Sequence, residues 1–586
     1  MGDGAALRRW LPLLLVAALQ VGIVAVVPSK GTSGGALDVL GAGPTSGSTA
    51  SGASEAGGLP LGEDGVPLDP ATGLPADPAA LPEGGAAAGG DPAAGAGGAG
   101  APGAPGAPGA PGGAGPAAAA GGGAPDLSKC AKDGKRQQDV TLSSPPCVPR
   151  FSGDNGGATH QGVTASEITV LRYRPKSNPQ VDAILNTQGL AFSAADEEAA
   201  MQTYAKFFEK RYETYGRKIK WVSVLGTCEI SPPDLPCFRT EARRLNAEHK
   251  PFAFMWPNST TQAEFFDEWS RLGVINVGGW HFNAEFNQRL RPFHYDVFMD
   301  GTRTARNVAD YWCKKMRGKN ATLAGDPVMR QQKRKLGILT QNFDVTRKNA
   351  LDLYAMVTGG VCGTKEDAAE PVYTPSDIAS GQQTASTAVR RLKADGVTTL
   401  VIMSDPINPR FTTTAATAEN WYPEHLLSGS GLIDYDLLGR LYDPAQWRNA
   451  FGPGHLADPT TPDRTDPFKA AADVGVRDNG AGGLIFPYMA LVVSGIQMAG
   501  PQLTPATFER GILTLPPSGG WAQTKDPQSI LVKYGQGDYT AIEDSRHAYW
   551  DPAARSRIDG RPGAYVSIEG GRRFEIGQWP AGEPKQ

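Results

Sequence analysis

The sequence predicts an α/β protein of two similar lobes, carried behind an apolar N-terminal segment and a long linker. Three observations lead there. Short apolar strands alternate with amphipathic helices twice in series, which argues for parallel sheets. About 460 residues follow the compositionally simple start, too many for one compact core and enough for two. Two similar halves joined in series also imply a cleft between them.

The elements follow in order. Trp10 to Val27 is almost wholly apolar behind Arg8 and Arg9, close to the ~18 residues at which a membrane span is expected. Residues 1–28 therefore read as a signal anchor or signal peptide, with the arginines cytoplasmic. No cysteine precedes Cys130, so nothing near the start offers a thiol for a lipid. Residues 29–125 are Gly, Ala, Pro and Ser with a few acids. Such a composition cannot bury a core and reads as a disordered linker. Its Ala-Pro-Gly repeat fails by Gly113-Ala114-Gly115, too soon for a triple helix.

Residues 126–164 form a cysteine-containing collar, either a small disulfide loop or an unstructured lead-in. Cys130, Cys147, Cys228, Cys237, Cys313 and Cys362 are even in number and all lie past the linker. Neighbours are expected to pair as disulfides, which implies an extracytoplasmic compartment. Their spacing and the scattered histidines give no zinc pattern, so no metal is expected.

The first strand is Glu167–Tyr173. A helix from Ala194 puts Met201, Tyr204, Phe208, Tyr212 and Tyr215 on one face and stops at Gly216. There follow a strand at Lys220–Leu225, a helix with Phe238, Ala242 and Leu245, a strand at Phe252–Trp256, a helix with Phe265, Trp269 and Leu272, and a strand at Val274–Val277. Another strand is expected at Tyr295–Met299. The second series comprises helix Thr302–Arg317, strand Lys335–Thr340, helices Val345–Val357 and Thr384–Ala394, and strand Thr398–Met403.

The net charge of −4 is small for this length and points to no nucleic acid or anionic surface. The folded part contains no His-Glu-x-x-His, no phosphate-cradling Gly-x-x-x-x-Gly-Lys and no nucleophile elbow. Neither an enzyme nor a cofactor is therefore expected.

Gly162-Val163-Thr164-Ala165-Ser166-Glu167-Ile168 opens the first strand, and Phe486 to Gly500 forms a late helix ending in Ala-Gly. Leu503-Thr504-Pro505-Ala506-Thr507-Phe508 and Gly511-Ile512-Leu513 follow it. In their order and spacing these segments resemble the type 1 periplasmic binding proteins of the leucine/isoleucine/valine-binding kind. The resemblance runs from about Gly162 to Tyr549-Trp550-Asp551. It implies two Rossmann-like lobes hinged by three crossing strands, with lobe 1 at 165–301 plus 478–535 and lobe 2 at 302–477 plus 536–586. It further implies capture of a small polar ligand such as an amino acid or amide, and an ABC permease as partner. A membrane-tethered sensing or surface receptor on the same fold is the alternative, and signalling would then need a partner.

The resemblance places first-lobe ligand loops at Asn258-Ser259-Thr260 and Trp280-His281-Phe282. In the second lobe it points to Phe343 and to Asp405, the latter positioned to meet an amine. N-capping competes for Ser259 and Thr260, and turn formation competes for Asp405, which precedes Pro406. The chain departs from the family in three places. A longer stretch, Lys176–Phe192, follows the first strand. Bulky Trp280 and Phe282 stand where amino-acid binders have small residues. Around Gly429-Ser430-Gly431 the nearest acid is Asp434. A branched-chain amino acid is therefore a doubtful ligand.

Overall fold

The computed structural model describes residues 124–142, 144–257, 262–359 and 362–584. The N-terminal segment, nearly all of the linker and the loop Asn258-Ser259-Thr260 lie outside the described residues. The chain divides into two units at Ala110, and every described residue belongs to the second.

That unit contains two Rossmann-like lobes. The first sheet comprises β1 (Glu167–Arg174), β2 (Lys218–Leu225), β3 (Ala253–Trp256), β4 (Ile275–Gly278) and β5 (His294–Tyr295) in the order β2-β1-β3-β4-β5. All its pairings are parallel. The second sheet holds β6 (Leu336–Gln341), β7 (Val372–Thr374), β8 (Thr399–Met403), β9 (Glu424–Leu426) and β10 (Ala450–Gly454). Their order, β7-β6-β8-β9-β10, repeats that of the first sheet and is again parallel. β11 (Asp544–Arg555) extends it antiparallel to β10, and β12 (Pro562–Ser567) and β13 (Arg573–Glu575) pair with β11.

Both halves use the same device: β-branched and aromatic strands lie between helices whose apolar faces turn inward. In the first, Met201, Tyr204, Phe207 and Phe208 of helix Ala194–Arg211 pack with Ile168 and Val170 of β1 and with the apolar helix Ile485–Ala499. The apolar stretch Gly482–Ala499 meets the length and hydropathy of a membrane span, but it is 72% buried and serves as core. Gly162 takes φ +72°, and a Cβ there would sit 2.1 Å from the Phe252 nitrogen. The opening glycine lets the entry turn lie against the start of the β3 segment.

The expected strand at Tyr295–Met299 is only two residues long. After Tyr295 the chain leaves the sheet, and Asp300 caps helix Gly301–Tyr311 through Arg303 N. This segment is the first of three crossings between lobes. The second follows β10 at His455 and Leu456, whose carbonyls accept from the buried Arg573 and Arg546. The third, 538–543, precedes β11. Arg303 ties it to the first by donating to Asp538 and to the Ile542 carbonyl, and it pairs with Glu543.

The collar is structured and docked. Gln137, fully buried, donates to the Arg211 carbonyl and accepts from Val148 N and from Gln497 in the core helix. Cys130–Cys147, Cys228–Cys237 and Cys313–Cys362 form disulfides, neighbour with neighbour. Helix Asp466–Asp473 packs on helix Ala194–Arg211, and Asp473 pairs with Arg211.

Candidate functional site

The loops at the carboxyl ends of β4, β6 and β8 meet across the lobes, where a doubly wound sheet exposes its binding crevice. After β4, Gly278 and Gly279 hold positive φ and His281 itself sits at φ +60°. Trp280 and Phe282 point into the first lobe. The Trp280 indole N–H donates to Tyr488 Oη at 2.9 Å, and Tyr488 donates to Asp296 at 2.8 Å. Phe282 stacks edge-on to Phe266 and Phe286. With its neighbours anchored, His281 reaches the second lobe.

The His281 contacts fix its chemistry. Nδ1 lies 2.9 Å from the Met299 carbonyl, which can only accept, so Nδ1 carries the proton. Nε2 is then free to accept from Gly431 N at 3.2 Å, and the His281 carbonyl accepts from Asn349 Nδ2 at 2.8 Å. Burial pushes the imidazole down to about 4, so it is neutral at pH 7. His455 lies 6.2 Å away ring to ring, also driven well down by burial, with neither ring nitrogen hydrogen-bonded.

Asp405 follows β8 and is half-buried. In the turn before helix Asn408–Ala418 it accepts from Ile407 N at 2.7 Å and Asn408 N at 3.0 Å, and it accepts again from Gln341 Nε2. Burial raises its pKa above the ordinary carboxylate value, against those hydrogen bonds. Gly431 takes φ +56°, and a Cβ there would meet the Ser404 carbonyl at 2.3 Å, which fixes how closely the Ser430-Gly431 turn lies on the end of β8.

Together these groups line a partly open cavity of about 20 Å³, room for about one water. Trp280, His281 and Asp405 line it, whereas Phe282 and Phe343 do not. Phe343 packs on the first-lobe aromatic cluster beside the buried Val345. Sequence reasoning did not name Gln341, Asn349 or Ser404, which also line it, and named Ser430 only within the stretch Gly429-Ser430-Gly431. The position of Gln341 at the end of β6 and of Ser404 just before Asp405 were the available signals. Lys176–Phe192 forms helix Pro179–Asn186 and an irregular return. Its Ile184, Leu185 and Leu190 pack on the second-lobe core, and Phe192 packs on the first. Asp434 lies away from the cavity, accepting from Leu456 N and paired with Arg546.

No protein-family model and no curated protein matches the chain. Among solved structures it is similar to a solute-binding protein of an ABC transporter from R. palustris in complex with 4-hydroxybenzoate, at 12% identity and TM-score 0.49, covering 71% of this chain and 99% of that one. It is also similar to the leucine-, isoleucine-, valine-, threonine- and alanine-binding protein of Brucella ovis in its closed conformation, at 11% identity and TM-score 0.48, covering 72% and 99%. A third is an ABC transporter substrate-binding protein of Aeropyrum pernix, at 11% identity and TM-score 0.48, covering 70% and 96%.

Proposed function

We propose that this chain is an extracytoplasmic solute-binding protein that captures a small polar ligand between two closing lobes and hands it to an ABC-type importer. One observation carries the reading: strand ends of two matching parallel sheets converge on one polar cavity, lined from both lobes. Loops in that position are built for ligands, and three crossings allow the two halves to move as bodies. The paired cysteines support an oxidising compartment.

The alternative, a tethered receptor on the same fold, draws on a different observation. Ser231 in the Cys228–Cys237 loop accepts from Ile378 N across the lobes, and Lys176–Phe192 bridges them as well. Lobes so tied suit a surface that partners read without opening. Melting the protein against amino acids, amides, polyamines and small aromatic acids separates the two. A ligand at a hundred times its dissociation constant adds about 2.7 kcal/mol, and solution scattering of the complex then reports compaction. Silence across the panel favours the receptor.

A further inference from the structure

The cavity wall is unbalanced in its hydrogen-bonding capacity. Most of its donors are spent on the protein, the Ser430 hydroxyl being the exception: Trp280 N–H goes to Tyr488, Gln341 Nε2 to Ser376 and Asp405, Asn349 Nδ2 to the His281 carbonyl, and Gly431 N–H to His281 Nε2. Its acceptors are not. Gln341 is 1% exposed and Asn349 is 3% exposed, and the side-chain carbonyl oxygen of each has no hydrogen-bond partner. Neither amide can be turned over to relieve this, because each nitrogen already faces an oxygen that only accepts. Asp405 adds a carboxylate that forms no ion pair among the described residues, and no Lys or Arg lines the cavity. Buried acceptors and an uncompensated carboxylate favour a partner that brings both positive charge and N–H groups.

Resting on the solute-capture reading, we propose that the ligand class of this site is a small primary ammonium compound without a carboxylate, its N–H groups filling the Gln341 and Asn349 oxygens beside Asp405. A free carboxylate finds only the Ser430 hydroxyl as an unspent side-chain donor and meets Asp405 as a like charge. The 20 Å³ of space, room for about one water, suits an ammonium head, and a larger group needs the lobes to part.

The test is thermal melting of the full chain at matched ionic strength with ammonium, methylammonium, tetramethylammonium and sodium chlorides, and with sodium acetate and glycine. Ammonium and methylammonium are expected to raise the melting temperature in a saturable way. Tetramethylammonium, charged but without N–H groups, leaves it at the sodium value, as does acetate. In Asp405→Asn the amide oxygen can still accept from Ile407 N and Asn408 N, and the ammonium shift is expected to fall at least tenfold in apparent affinity. Stabilisation by acetate or glycine above that of methylammonium overturns the class while leaving capture intact, and so does an equal shift with tetramethylammonium. No shift with any compound here or in the wider panel overturns capture itself. Should Asp405→Asn not fold, the wild-type series still decides.

Discussion

Asp296 shows how a single buried side chain sets pH behaviour at the junction of the lobes. It is 2% exposed, accepts from Tyr488 Oη and Val297 N, and is raised to about 7, chiefly by burial. A carboxyl whose folded value lies above its unfolded value near 4 favours the protonated fold. Its contribution is therefore complete below about pH 4 and is lost as pH rises through 7. Asp296→Asn keeps the accepting oxygen and removes the charge. The variant is expected to unfold at higher urea than wild type at pH 8, by up to about 4 kcal/mol, and to differ little at pH 4.5. A gain of equal size at both pH values would show that ionisation of this group is not what matters. The buried histidines act oppositely. His281 and His425, both lowered to about 4 by burial, stabilise above pH 6.5 and lose that contribution as pH falls toward 4.

At the scale of elements, legibility followed burial pattern. β6 and β8 are fully buried and mostly apolar, β1 is largely buried, and their expected ranges agree with the observed ones to within about two residues. β9 and β10 went unseen for physical reasons. β9 reads Glu-His-Leu, yet Glu424 is fully buried because Arg334, equally buried, donates to both its oxygens at 2.8 Å. β10 contains Gly-Pro-Gly, a turn signal overridden by pairing with β9 and β11. The cavity was legible in part. Trp280, His281 and Asp405 follow strand ends that sequence locates, whereas Asn349 comes from a helix and reaches the site only through lobe contact. The ion pair beneath β9 gives a sharp expectation. Glu424→Leu alone leaves the buried Arg334 with only the Glu583 carboxylate at 3.6 Å and should lower unfolding free energy by about 3–5 kcal/mol, and adding Arg334→Met should recover most of that loss. Equal destabilisation of single and double variants in denaturant titrations would contradict the pair as the organising contact.

For the whole molecule, the lobes are separate in topology and continuous in packing. Val345 begins a second-lobe helix yet lies within the first lobe's aromatic cluster, and Leu432 packs on the cores of both. Lys176–Phe192 leaves β1 of the first lobe, sets Ile184, Leu185 and Leu190 on the second and returns with Phe192 on the first. Such a strap makes opening expose apolar area that an unadorned hinge keeps covered or never covers, so opening and unfolding become coupled. Wild type should therefore melt in one calorimetric transition despite its two sheets, with the calorimetric and van't Hoff enthalpies in agreement. Replacing Leu185 and Leu190 together by Ser removes the strap's apolar anchors while leaving both sheets untouched. That variant is expected to lose roughly 2–3 kcal/mol, from the area these half-buried side chains cover. Its melt should then split into two transitions, and its radius of gyration at low temperature should rise above that of wild type. A single unsplit transition in the variant would place the coupling in the crossings and the His281 contacts instead.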